Sequence, residues 1–423
     1  MSIVLTKIFN TLRNNNLFRD SLWALIGGTL GKGLSFLSGI FVAKFLGSTI
    51  FGEYGTIRAT LTYVAIVSTF GFGYTATKFI AEYLVKHPNK TRHLIDSITY
   101  LTIIIGSLFA LLQMIFAEQI ATFIEAPHLE KTIRIFSILT LINAITTTQI
   151  AILAGLKKFK DIATINTVVG IITFVASLGM TYYFGLNGAL TALLLSFTTQ
   201  LAISQIAIAK SKWNMTRTEK ISIVELCSIL SYSFPVALQD SLYTITYWLS
   251  MLLIIRFANY SEVGIINAAN IWQSIVISIP AMLKNVMFSH LSSASDHKNL
   301  VKNLLSISLW SSLIPTLFVT LFSGYIENLY GESFAMIRYT IIVVCCSAVL
   351  ICLGEVFVYE LLSRGKSWFV FSSRLVRDMI TLSVASLLLT NINSGHALVY
   401  TSVALAGHFI YLILMSIFYK KTI

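Results

Sequence analysis

The chain has 423 residues, 56% of them hydrophobic and 11% charged, with a mean hydropathy of +0.79. Soluble domains average about 25% charged residues, so this composition excludes a water-soluble enzyme and points to a polytopic membrane protein. The net charge of +12 calls for no nucleic-acid partner, because many short cytoplasmic loops facing anionic lipid give the same excess.

A membrane span needs about 20 apolar residues. Twelve runs meet that length, near 21–46, 55–82, 95–117, 133–154, 162–184, 188–209, 227–257, 263–289, 303–323, 336–361, 368–390 and 397–419. Ahead of them, MSIVLTKIFNTLRNNNLFRD lacks the apolar core and small-residue cleavage site of a signal peptide and reads as an interfacial helix. Alternate gaps between the runs are basic: 86–92, 157–160, 210–220, 298–302 and 364–366. With Lys7, Arg13, Arg19, Lys420 and Lys421 they hold 19 of the 30 Lys and Arg. The intervening gaps are short, acidic or uncharged, with Glu53, Glu118, Glu125, Glu130, Glu262, Glu327 and Glu332. Cytoplasmic loops carry such a basic excess, so both termini are expected in the cytoplasm. No stretch outside the spans reaches the roughly 50 residues of a soluble domain.

In the first span Gly27, Gly31, Ser35, Gly39, Ala43 and Gly47 recur every fourth residue. That spacing lines small side chains along one helix face, which suits close packing against another span and equally a face on which spans one and seven rock. GTLGKG at 28–33 is no phosphate loop, since a Walker pattern needs Gly at 26 and Ser or Thr at 33 and the chain has Ile26 and Gly33. HExxH, GxSxG and CxxC do not occur. The four cysteines, Cys227, Cys345, Cys346 and Cys352, lie in spans and read as small apolar residues. The expectation is therefore a protein that is not an enzyme and takes no cofactor or metal.

FLGSTIFGEYGTIRAT at 45–60 resembles FANYSEVGIINAA at 257–269, pairing Glu53 with Glu262, Gly55 with Gly264 and Ala59 with Ala268; just before, Lys44 pairs with Arg256. Spans 1–6 and 7–12 thus read as two parallel copies of one unit, for which substrate sites form at the repeat interface. The expected organisation is an N-terminal six-helix lobe over 1–209, a cytoplasmic linker at 210–226 and a C-terminal six-helix lobe over 227–423.

The glycine-rich LIGGTLGKGLSFLSGIFVAKFLG, the following FGEYG, STFGFGYTATKFIAEY, SYSFPVALQD and EVGIINAAN together resemble the polysaccharide-transporter branch of the multidrug/oligosaccharidyl-lipid/polysaccharide (MOP) exporter superfamily, and within it the Wzx-type O-antigen and capsule repeat-unit flippases. The resemblance implies an all-α membrane protein with twelve transmembrane helices in two pseudo-symmetric six-helix lobes, a fold of the MATE/MOP kind. It also implies a bacterial inner-membrane location and an undecaprenyl-diphosphate-linked oligosaccharide as substrate. Expected partners are membrane lipids, a polysaccharide polymerase and a chain-length regulator. The rival reading is a multidrug or small-solute cation antiporter of the same superfamily.

Charges inside the spans separate these readings, because an ionised side chain near the bilayer centre costs about 2.5–3.5 kcal/mol and faces a cavity or a partner. Lys32 and Asp240 fall near mid-depth, roughly 12 residues or about 18 Å from the cytoplasmic end. Lys78 and Lys284 lie toward the cytoplasmic ends of spans two and eight and Arg58 near the outer end of span two. Lys44, Arg256, Lys78 and Lys284 are within snorkelling reach of the interface. Glu355, Arg374 and Arg377 share a depth, where Glu355 with either arginine makes an ion pair. Within the span bounds ten bases stand against six acids, of which Asp240, Glu355 and Asp378 lie deepest; the excess suits an anionic head group, which Lys and Arg hold by charge-assisted hydrogen bonds. A cation exporter is expected to show the opposite bias.

The candidate substrate-binding residues are therefore Lys32, Arg58, Lys78, Asn270, Lys284 and Arg374, and the candidate ion-coupling residues Asp240 and Glu355. Asn267, Gln273 and Ser274 beside Asn270, and Tyr243, Tyr247 and Trp248 in span seven, are placed to meet sugars, or equally to link helices and form the interfacial aromatic belt.

Overall fold

A backbone in hydrocarbon satisfies its hydrogen bonds within its own segment only as a helix, and the apolar runs fold accordingly. The computed structural model describes residues 16–69, 71–213, 219–293, 297–364 and 366–422, with no strand among them. The helices are α1 (Asn16–Ser68), α2 (Phe72–Lys86), α3 (Pro88–Ile115), α4 (Ala117–Phe123), α5 (Glu130–Phe136), α6 (Ile138–Gly155), α7 (Phe159–Trp213), α8 (Ile223–Phe257), α9 (Tyr260–Ser293), α10 (His297–Leu321), α11 (Ser323–Tyr330), α12 (Ile337–Ser363), α13 (Ser367–Leu389) and α14 (His396–Thr422), with a 3₁₀ turn at Pro127–Leu129. Most of the N-terminal segment expected as an interfacial helix lies outside the described residues.

Among the described residues seven helices are long and apolar enough to cross a membrane, and the chain is a multi-pass membrane protein. Two of the long helices hold two expected spans each, divided at a glycine in the left-handed region: Gly47 (φ 70) in α1 and Gly185 (φ 55) in α7. Only glycine takes these angles at no steric cost. Span two is itself interrupted. Its first part ends α1, Gly71 (φ 75) turns the chain, and α2 carries the rest. The acidic gaps are not bare loops: α4, the 3₁₀ turn and α5 fill one and α11 another. Glu118 and Glu130 stand in the first turns of α4 and α5, where the positive end of the helix dipole favours an acid.

The described residues pack as two compact units, one made of the segment ending at Ser38 with Ile57–Ile245, the other of Gly39–Thr56 with Thr246–Ile423. The first has an apolar core of Phe72 and Ile80 from α2, Leu94 and Ile98 from α3, Ile152 and Leu153 from α6, and Ile165 and Ile208 from α7. Lipid tails are as apolar as leucine, so helices associate through close backbone approach and interhelical hydrogen bonds. Both occur here. A Cβ on Gly155 would lie 3.0 Å from the Thr77 carbonyl oxygen, and the Thr77 hydroxyl donates to the Ala151 carbonyl at 3.0 Å. Gln149 Nε2 donates to Gln205 Oε1 at 2.9 Å.

The basic end of this unit is tied by charge. Lys90, at the start of α3, pairs with Glu225 at 2.9 Å, and Lys212 pairs with Asp96. Ser222 and Glu225 form a capping box: Glu225 Oε2 accepts from the Ser222 N–H at 2.9 Å and Ser222 Oγ from the Glu225 N–H at 3.2 Å. The Lys90 hydrogen bond, followed by the Ser222 N–H, holds the Glu225 carboxyl below the usual carboxylate range. The same bond raises the Lys90 ammonium.

The second unit is cored by Val356, Phe357 and Leu361 of α12 with Tyr411 and Met415 of α14 and Val301 of α10. It also includes the middle of α1, Gly39–Thr56, with the acidic gap around Glu53. A Cβ on Gly52 would meet the Tyr260 carbonyl oxygen at 1.9 Å and the Gly264 nitrogen at 3.1 Å; one on Gly264 would meet the Ser48 carbonyl oxygen at 1.9 Å and the Gly52 nitrogen at 3.1 Å. These contacts are reciprocal: Ser48 stands to Tyr260 as Gly52 stands to Gly264. The offset between Ser48 and Tyr260, and between Gly52 and Gly264, is 212 residues, which also relates Lys44 to Arg256 and Gly47 to Asn259. Gly47 breaks α1, and Ala258–Asn259 separate α8 from α9. The pairing of Glu53 with Glu262 and of Gly55 with Gly264 expected from sequence runs at an offset of 209 residues.

Candidate functional site

Three of the candidate bases lie in the first unit, and local packing sets the direction of each. Gly31 of α1 abuts α7: a Cβ there would stand 2.4 Å from the Asn166 carbonyl oxygen, and a Cβ on Gly170 would stand 2.7 Å from the Gly31 Cα. Successive helical residues are about 100° apart, so Lys32 turns away from this crossing and is exposed. Arg58 follows Thr56 and Ile57, both fully buried, and is exposed. Lys78 lies two residues from both Ala76 and Ile80, fully buried on the opposite face of α2, and is exposed as well, its Nζ 5.2 Å from the Phe79 ring centre. The unit thus presents cationic side chains from apolar membrane helices while its interior is held by neutral amides and hydroxyls. Asp240 lies on α8 and Lys284 on α9; their side chains, with that of Tyr243, fall outside the described residues.

The second unit turns its charges inward. Arg377 Nε donates to Asp378 Oδ1 at 2.8 Å, the Thr246 hydroxyl of α8 donates to Asp378 Oδ2 at 3.0 Å, and the Arg377 guanidinium lies 4.9 Å over the Tyr411 ring. Arg377 therefore takes its chain neighbour Asp378, whereas the shared depth in the sequence suggested Glu355. Arg374 and Glu355 are half-buried on α13 and α12. A second internal pair joins fully buried Glu360 to Arg364 at 2.6 Å. The sequence counts Asp378 only among the span acids and gives Glu360 no role; the one signal for either pairing is an acid close to an arginine on a helix.

The polar residues set against sugars divide. Tyr247 donates to Asn267 Oδ1 at 2.7 Å, Gln273 Nε2 donates to the Val344 carbonyl at 3.2 Å, and Tyr400 donates to Ser250 at 2.6 Å. Asn267, Gln273 and Tyr247 thus link helices. Asn270 is half-buried and Ser274 exposed, the latter bonded to the Asn270 carbonyl at 2.8 Å. Of the cysteines, Cys345 and Cys352 are buried as expected and Cys227 and Cys346 are exposed. Among the described residues no group of His, Cys, Asp and Glu could hold a metal ion.

The small-residue stripe of α1 has two partners rather than one. Gly31 takes α7 in the first unit, and Gly39 takes Ile271 of α9 in the second, where an added Cβ would stand 3.0 Å from Cδ1.

Solved structures of like fold include an inward-facing multidrug resistance MATE family transporter of the MOP superfamily, with a TM-score of 0.75 and 15% identity over 94% of this chain and 98% of that one. The lipid II flippase MurJ in an inward closed conformation matches with a TM-score of 0.77 and 12% identity over 94% of this chain and 87% of that one. A MOP superfamily transporter from Pyrococcus furiosus, described by a reversed polarity of its binding pocket, matches with a TM-score of 0.66 and 15% identity over 97% and 96%. At these identities the likeness concerns the fold, which is that of the MOP transporters. No curated protein matches the chain. A family model described as "Polysaccharide biosynthesis protein" matches residues 17–288, well over half of the sequence, and the chain belongs to that family.

Proposed function

We propose that this protein is a flippase that carries an undecaprenyl-diphosphate-linked oligosaccharide, an O-antigen or related repeat unit, across the bacterial inner membrane by alternating access of the two six-helix lobes over 1–209 and 227–423. The observation that carries the reading is the exposure of Lys32, Arg58 and Lys78 on apolar membrane helices. Bases there face water or an anion rather than lipid, and a diphosphate meets them by charge-assisted hydrogen bonds. Lys284 and Arg374 extend the cationic set and Asn270 offers an amide to sugar hydroxyls. Asp240 and Glu355 are the acids assigned to ion coupling.

Family membership supports polysaccharide biosynthesis as the setting, where a polymerase and a chain-length regulator act next. A multidrug antiporter is the second reading, favoured by the MATE-like fold, and the cationic bias of the exposed span residues opposes it. Complementation of a flippase-deficient strain decides, with protein level measured alongside. Lys32→Ala is expected to stop surface-polysaccharide assembly, and Lys32→Arg to keep part of it, because the charge stays while the hydrogen-bonding fork differs. Full complementation by the triple variant Lys32→Ala, Arg58→Ala, Lys78→Ala would overturn the head-group assignment. Drug resistance conferred without polysaccharide rescue would favour the antiporter.

A further inference from the structure

In each unit one long helix bends into a short one inside an acidic gap: α3 gives way to α4, and α10 to α11. Phe116 (φ −88, ψ 18) and Phe322 (φ −91, ψ 6) make the two bends with nearly the same backbone angles. Both depart from helical values, so each short helix leaves the axis of the long one. At about 100° per residue, α4 has three faces. Ala117 and Ala121 are buried, as is Ile124 just beyond its end. Phe116 and Phe123, seven residues apart, share an exposed apolar face. Glu118 and Thr122 share an exposed polar one, where the Thr122 hydroxyl donates to the Glu118 carbonyl oxygen at 2.9 Å. The pattern recurs in α11, with Phe322 standing 206 residues after Phe116 and Leu329 the same distance after Phe123. Ser323, Ile326 and Tyr330 are buried, Phe322 and Leu329 are exposed with Tyr325 beside them, and Asn328 is exposed on the polar side.

From this geometry we infer that α4 and α11 are interfacial anchors, each lying in the lipid headgroup layer beside the acidic gap it fills. Phe116, Phe123, Phe322 and Leu329 dip toward the acyl chains, while Thr122 and Asn328 stay in water. A short helix with an apolar face and a polar face takes this position at a bilayer surface, and aromatic rings favour that depth. The exposed apolar faces continue the lipid-facing sides of the long helices. Leu108, Leu111 and Ile115 lead along α3 into Phe116, and Ile314, Leu317 and Leu321 along α10 into Phe322. A run of rings carries the second stripe across the bend, with centres 4.6 Å apart for Phe318 and Phe322 and 6.1 Å for Phe322 and Tyr325. A protein docked on one of these faces gives no reason for the same face to recur in the other unit, whereas lipid is common to both. The buried side of α11 ties its depth to the rest of its unit: Trp272 Nε1 donates to the Tyr330 hydroxyl at 3.1 Å, and the Tyr330 ring lies 5.1 Å from that of Phe334. The inference concerns how each unit is held in the bilayer and stands whatever cargo crosses.

The test compares neighbouring positions on the two exposed faces. In the full chain with its native cysteines replaced by alanine, Thr122→Cys, Phe123→Cys, Asn328→Cys and Leu329→Cys are introduced one at a time. All four fall on exposed side chains, so the packing beneath them is left intact. Each protein is labelled with a nitroxide and reconstituted in vesicles of phosphatidylethanolamine and phosphatidylglycerol. Relaxation of the label is then measured with oxygen, which concentrates among acyl chains, and with a water-soluble nickel complex. The ratio of oxygen to nickel accessibility is expected to be several-fold higher at 123 than at 122, and several-fold higher at 329 than at 328. Equal, nickel-dominated accessibility at all four positions would place both helices in water and overturn the anchors. Labels at 123 and 329 that neither reagent reaches would mean that a second copy of the chain covers these faces, which overturns the lipid assignment as well.

Discussion

Gly31 and Gly170 meet backbone against backbone, with an imagined Cβ on Gly170 only 2.7 Å from the Gly31 Cα, while Gly33, two residues along the same helix, has nothing within 4 Å of its own. Overpacking a well-packed site costs about 1–3 kcal/mol, so Gly31→Ala and Gly170→Ala should each lower the detergent melting temperature by several degrees. Gly33→Ala should leave it unchanged or raise it, since alanine is the better helix former by about 1 kcal/mol. Equal losses at 31 and 33 would mean that helix flexibility, not the crossing, is what the glycines supply.

Span one shows where the reading of sequence stops. A period of four is legible because it marks a single helix face, yet it does not say that Gly31 serves α7 while Gly39 serves Ile271. Hydropathy finds the spans, because length and apolarity are what the bilayer demands. It cannot find α4, α5 or α11, seven or eight residues each, which are too short to show a period. The two matching glutamates pair at an offset of 209 residues, whereas the touching pair Gly52 and Gly264 stands at 212, a contact that no local pattern reports. The cationic candidates Lys32, Arg58 and Lys78 are exposed. Asp378 stayed hidden because its meaning comes from Thr246, 132 residues away, and no local pattern reports that contact.

The alternation of basic and acidic gaps predicts topology. Glu118, Lys158, Lys298 and Asn328 are all exposed. Cysteines at 118 and 328 should react with an impermeant maleimide on whole spheroplasts, and those at 158 and 298 only after the membrane is opened. Labelling of 158 on intact spheroplasts would reverse the assigned orientation.

The tie between Lys90 and Glu225 makes the start of α8 sensitive to pH. Glu225 has its pKa lowered in the folded chain, so its contribution is full above the ordinary carboxylate value of about 4.3 and is lost as pH falls through the lowered folded value. Lys90 has its pKa raised, so its contribution is full below the ordinary lysine value of about 10.4 and is lost as pH climbs past the raised one. Amide exchange over 222–227, corrected for intrinsic rates, should be slowest between these limits and speed up on acidification below about 4. Glu225→Gln should flatten the acid limb. A wild-type profile that stays flat down to pH 3 would show that the capping box holds without the ion pair.

The buried pair Arg377–Asp378 gives the sharpest prediction about the second unit. Asp378 is 6% exposed, and its two oxygens are taken by Arg377 and Thr246. Removing one partner of a buried pair costs about 3–5 kcal/mol, because the other charge is left without compensation, whereas replacing both is often close to neutral. Asp378→Asn and Arg377→Met should each lower the melting temperature strongly, and the double variant should recover most of the loss. Thr246→Val should cost about 1 kcal/mol, the worth of one hydrogen bond. The coupling energy from this cycle isolates the pairwise term. Additive losses would mean that Arg377 is held chiefly by Tyr411 and the aromatic face beneath it. Transport measured on the same four proteins then distinguishes structure from mechanism. A pair that only braces α13 against α8 regains transport together with stability in the double variant, whereas a pair whose charge takes part in coupling regains stability alone.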